Sequence, residues 1–160
     1  MTLAFASLRY VMKKLLKSTI LIVIGSLANT ANGQPNHSHL FGTWQIVGSR
    51  FGDGISVGSR DAKKLLGKRI RFSVDRASLG SDRCSSAVYE SRRIAKEEFV
   101  MEFKTSLRSI GIKSNHVDVL TVRCGNNHWV APGGLLLKLP GGSMLTLWDG
   151  VFFVLKKVAQ

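Results

Sequence analysis

Acidic side chains are scarce in this chain: ten aspartates and glutamates stand against 23 lysines and arginines in 160 residues, a formal net charge of +13. Such a balance keeps the chain soluble and draws it toward anionic surfaces, and it opposes basic partners such as lysozyme-type enzymes. Cysteine occurs twice and proline three times. The chain has no Gly-x-Ser-x-Gly elbow, no phosphate-cradling glycine loop ahead of a helix, no paired carboxylates spaced for acid–base work and no CxxC or Cys/His cluster. Hydrolase, nucleotide and zinc chemistry all lack their usual residues, so no catalytic residue, metal site or cofactor is expected. Nor are the basic residues interleaved with aromatics as base stacking would use them, and nucleic acid is not an expected partner.

A long apolar run is missing as well. A spanning helix needs about 20 mainly apolar residues, whereas the apolar stretch at 20–27 is already interrupted by Gly25 and Ser26. What stands at 12–33 instead, MKKLLKSTILIVIGSLANTANG, has the make-up of a cleavable export signal: a basic head of Lys13, Lys14 and Lys17, an apolar centre at 20–24 with Leu27 behind it, and small residues at 28–33. No cysteine is available at the junction for a lipid anchor and no twin arginine precedes the centre. Met1 and Met12 are alternative starts. The reading divides the chain into an N-terminal extension and signal at 1–33, a flexible lead-in at 34–39 and one domain at 40–160, periplasmic or secreted, with no transmembrane anchor after cleavage. Removing Arg9, Lys13, Lys14 and Lys17 leaves 19 basic residues against 10 acidic ones, still about +9.

In an exported chain an even cysteine count favours pairing, so Cys84 and Cys124 are expected to form one disulfide. Period-two alternation dominates the same region and predicts strands with one face inward: Ile70, Phe72 and Val74; Phe99, Met101 and Phe103; Val117, Val119 and Thr121. Toward the end, 135–139, 144–148 and 151–158 are separated by Pro140-Gly141-Gly142-Ser143 and by Asp149-Gly150, which predicts a three-stranded meander with a tight final hairpin. Helix signals are few. Residues 59–67 carry a serine at the start, Asp61 in the first turn and Gly67 at the close, and 105–110 could add one more turn. The expected fold is mainly β: a small antiparallel barrel of about eight strands, closed or nearly closed, with one or two short helices.

Gly42-Thr43-Trp44 sits at the start of the first predicted strand, and with the domain length it resembles the lipocalin-like, or calycin, barrels. That resemblance implies a tryptophan packed across the barrel floor and a small apolar or amphipathic ligand held inside. The family's Thr-Asp-Tyr motif is absent, and Lys156 or Lys157 would have to replace its late arginine. The segment is also similar to uncharacterised small exported bacterial proteins that share the opening Gly-Thr-Trp, an Asp-Ala-Lys-x-Leu-Leu-Gly-Lys helix and a closing Trp-Asp-Gly strand pair.

The candidate ligand-binding residues are Trp44, Arg69, Arg71, Arg123, His128 and Trp129: arginines as an anionic rim contact, and the last two as a loop pair behind the Gly125-Asn126-Asn127 turn. His37 and His39, in the lead-in, read as solvent-exposed rather than metal-ligating, and His116 with Asp118 as a polar pair near a strand end. The expected function is an exported ligand-binding or carrier protein of the cell envelope, taking an apolar or amphipathic molecule, anionic ones included, or another envelope component. The alternative is a periplasmic protein-interaction module of the inhibitor or immunity type, binding through a rigid loop at 126–134.

Overall fold

The computed structural model describes residues 36–53 and 59–159; the export segment and the two alternative starts lie outside them. Within these residues run β1 (Gly42–Phe51), α1 (Ser59–Lys63), β2 (Arg69–Phe72), β3 (Ala77–Leu79), β4 (Asp82–Cys84), β5 (Ala87–Ala95), α2 (Lys96–Phe103), β6 (His116–Cys124), β7 (Asn127–His128), β8 (Leu135–Lys138), β9 (Met144–Trp148) and β10 (Val151–Lys157). All pairings are antiparallel, in the order β4-β3-β2-β1-β10-β9-β8-β6-β5, with β7 on β6.

The fold is mainly β with two short helices, as expected, but it has ten strands among the described residues, and the barrel is open. Its edges, β4 and β5, do not pair. β3 and β4 have only three residues each, too few to offer nine-residue β5 a ladder. Other bonds stitch the seam. The Cys84–Cys124 disulfide ties β4 to the end of β6, with Cα atoms 5.4 Å apart. Ala87 N–H donates to the Asp75 carbonyl (2.7 Å), and the Tyr89 hydroxyl, on β5, donates toward the Ser73 (2.7 Å) and Arg76 (2.9 Å) carbonyls of the β2–β3 turn. Burial pushes the Tyr89 phenol up to about 12. An unfolded tyrosine ionises near pH 10, so between there and pH 12 the unfolded state loses protons that the fold retains, and stability falls as pH rises. Tyr89→Phe should abolish that alkaline slope in thermal melts, while costing on the order of 1 kcal/mol at neutral pH for the lost seam bond.

Two buried clusters lie on the two faces of the sheet. The inner one joins Leu40, Trp44, Ile46, Ile70, Phe72, Tyr89, Val122, Trp129, Leu136, Phe153 and Leu155. The outer one joins Phe99, Leu107, Ile110 and Ile112 to Val117, Val119, Leu137, Leu145 and Phe152, so that α2 and the segment after it cover one part of the outer face. That is why β6 is apolar on both faces. The helix α2 replaces the strand expected from Phe99, Met101 and Phe103. Phe99 and Phe103 are four residues apart, their rings meet at 4.6 Å, and Phe99 is fully buried while Met101 is two-thirds exposed. A helix presents that pair to one neighbour, with Glu97 and Glu98 at its positive end. Val74, expected inward, is exposed in the β2–β3 turn, and 105–110 forms turns rather than a helix. The meander stands as expected, its final hairpin turning at Asp149 (φ 51°) and Gly150 (φ 78°).

Candidate functional site

From Asn36 onward the lead-in packs against the barrel. Residues Ser38–Leu40 form a single 3-10 turn, Leu40 is fully buried, and Trp44 Nε1–H donates to its carbonyl at 2.7 Å. Lys157, at the end of β10, reaches the His39 carbonyl (3.1 Å) and lies 5.5 Å above the Trp44 ring. This turn faces the inner sides of β5, β6 and β8.

Which side chains those strands present follows from their register. Leu120 pairs with both Ser91 and Leu136, and Leu136 belongs to the inner cluster. Two residues further along each strand, on the same face, lie Arg93, Asp118 and Lys138; Arg93 is opposite Asp118 and Lys138 opposite Met144. The result is a cavity of about 320 Å³ lined by Asn36, His37 and His39 on one side, by Arg93, Asp118 and Lys138 on the other, and by Leu120, Leu136 and Met144 beneath. Such a volume lies at the small end of the ligand-site range, roughly 300–1,000 Å³.

The electrostatics favour an anion. Arg93 and Lys138 form no ion pair among the described residues, and Asp118, though paired with Arg93 in register, forms none either. His37 Nε2 is buried without a hydrogen-bond partner. Burial, with Lys138 and then His37 as neighbouring positive groups, holds His39 below the ordinary imidazole range. Two cations and two imidazoles therefore converge over an apolar floor, with one carboxylate among them. That arrangement can seat a small anionic head group and bury a short apolar tail. Among the described residues no group of three His, Cys, Asp or Glu side chains is arranged to hold a metal ion.

The six residues expected at the site do not form a single site, although Arg123 pairs with His128 in register. Trp44 lies in the inner cluster as a packing residue. Arg69 and Arg71 point outward from β2, away from the interior, because Ile70 and Phe72 take the inward positions. Arg123 is half-buried on β6, bonded to Glu90 Oε1 (3.2 Å) and to the Asn126 carbonyl (3.0 Å). His128 is exposed on β7. Trp129 is no free loop aromatic: its N–H bonds Val122, its ring meets Phe72 edge-on at 6.4 Å, and Gly133 (φ 108°) closes against it. Residues Trp129 and His128 also border a groove of about 680 Å³ on the outer face, with Thr121, Leu135 and Leu147 at its floor and Glu90, Arg92 and Glu102 at its edge. Its charges cancel locally, since Arg92 is held by Glu98 and Glu102. Arg93 and Lys138 carry no local motif; counting two residues back from Leu120 and two forward from Leu136 is the one signal that would have found the Asp118–Lys138 face.

Among the described residues no helix is long and apolar enough to cross a membrane. The chain matches no protein-family model, no curated protein and no solved structure.

Proposed function

We propose that this chain is a non-enzymatic binding protein of the cell envelope, periplasmic or secreted, that takes a small amphipathic anion in the cavity between its lead-in and the inner face of β5, β6, β8 and β9. One observation carries the reading: Arg93 and Lys138, free of carboxylate partners within 4 Å, face His37 and His39 across an apolar floor of Leu120, Leu136 and Met144. The export-signal composition and the Cys84–Cys124 pair support the compartment. Calorimetric titration of the full chain with decanoate tests it. Arg93→Gln combined with Lys138→Gln should weaken binding by about 10-fold or more, as two charge-assisted contacts are lost. Unchanged affinity in that variant, or no binding by the parent, would reject the reading.

The affinity should also rise as pH falls through the imidazole range. In the free protein, burial, Lys138, His37 and Lys157 oppose the charge on His39, helped only by the Asn36 backbone. A bound anion reverses that opposition, so binding takes up a proton and favours the lower pH.

The interaction-module reading keeps one specific support. Val130 is 80% exposed between buried Trp129 and Ala131, an apolar knob on an anchored loop, as a protein contact would use.

A further inference from the structure

The outer face of β2, β3 and β4, with the adjoining ends of β1 (Thr43, Gln45) and β10 (Lys156), contributes no residue to the cluster beneath α2, and its side chains follow from register. Arg71 pairs with Thr43 on one side and Ser78 on the other, and Ser78 pairs with Arg83, so Thr43, Arg71, Ser78 and Arg83 form one row across four strands. The adjacent row is Lys156, Gln45 and Arg69. All four cations in these rows are exposed. With strands about 4.8 Å apart and alternate residues about 7 Å apart along a strand, they stand on a grid of roughly 7 by 10 Å. The neutral positions within the two rows are Thr43, Gln45 and Ser78, so the rows themselves hold neither an apolar side chain to insert nor an aromatic on which a base could stack.

Two further facts describe the charge of this face. The segment 60–83, which supplies most of α1, all of β2 and β3 and the first two residues of β4, has eight basic residues against three acidic ones. And whereas Arg92 and Arg123 are neutralised by Glu98, Glu102 and Glu90, none of Arg69, Arg71, Arg83 and Lys156 forms an ion pair among the described residues. Unpaired cations in rows are the footprint of a polyanion. The sheet curls around its inner cluster, so this outer face is convex. A planar bilayer would touch it at few charges at once, while a flexible chain can follow the curve and contact both rows.

We infer that this face is a docking surface for a linear anionic polysaccharide, bound by charge across the two rows and independently of the barrel cavity. The test is salt-dependent binding of the full chain to heparin as the probe polysaccharide. Changing Arg69, Arg71, Arg83 and Lys156 together to glutamine should weaken binding by on the order of 100-fold. Lys96, Lys104, Arg108 and Lys113, exposed on and after α2, changed likewise remove the same net charge and should leave affinity within a few-fold. A variant with Arg69, Arg71 and Arg83 all replaced by lysine keeps the charge and should retain binding, which separates lost contacts from lost folding. Equal losses in the two glutamine variants would mean net charge alone and overturn the inference. So would binding to vesicles of equimolar phosphatidylglycerol and phosphatidylcholine without binding to heparin. Decanoate affinity should be unchanged in the outer-face variant, so that failure here and failure of the cavity reading are told apart.

Discussion

Replacing Cys84 and Cys124 with alanine should lower the unfolding free energy by about 4 kcal/mol, from chain entropy alone, for a sequence separation of 40. For a domain whose total stability is on the order of 5–15 kcal/mol, this is a large fraction. The structure adds a reason for the loss to be concentrated at one place. β4 is a three-residue edge strand with no partner on its open side, and the disulfide holds it against the end of β6. Without it, the seam rests on the Ala87–Asp75 main-chain bond and the Tyr89 hydroxyl. Urea unfolding of the parent and variant, each with and without reductant, measures the effect: the parent should lose stability on reduction and the variant should not respond. A parent whose midpoint is unmoved by reduction would show that the bond constrains nothing.

Trp44→Ala should cost about 3–5 kcal/mol, the range for deleting a large buried aromatic. Trp44 is 2% exposed, contacts the inner cluster and also anchors the cavity wall through its indole N–H bond to Leu40. Trp44→Phe separates the two roles. It keeps most of the apolar area, loses the hydrogen bond and leaves the Leu40 carbonyl in need of another donor, at about 1–3 kcal/mol. Hydrogen exchange should then quicken first at 38–41, where Leu40 and Phe41 donate to the His37 and Ser38 carbonyls, while the β8–β9–β10 meander stays protected. Uniform quickening across both regions would contradict a local anchoring role.

How far the fold could be read from residues depended on the reach of each signal. Asp149-Gly150 is a two-residue signal for a two-residue turn, and both adopt the positive φ it requires. Gly67 closes the turn after α1 at φ 81° for the same local reason. The 96–103 segment was ambiguous because Phe99, Met101 and Phe103 fit a period of two while Phe99 and Phe103 fit a helical one. Burial of Phe99 against Phe152 on the sheet, ring centroids 6.3 Å apart, decides the matter and is not a local property. Trp129 was misread by the same mechanism: the turn ahead of it was legible, with Gly125 at φ 61°, but not the return of the chain to Val122 that buries the ring. The cavity was least legible of all. Its residues come from the lead-in and four strands, and only their register brings His37, Arg93, Asp118 and Lys138 to one opening.

Amide NMR spectra of the full chain titrated with decanoate test the central claim most directly, because they report where the ligand sits as well as whether it binds. The account predicts saturable shifts concentrated at 36–39, 91–93, 118–120 and 136–138, the segments that line the cavity. Shifts confined to Glu90, His128, Val130 and Trp148, around the outer groove, or no saturable shift at all, would contradict it.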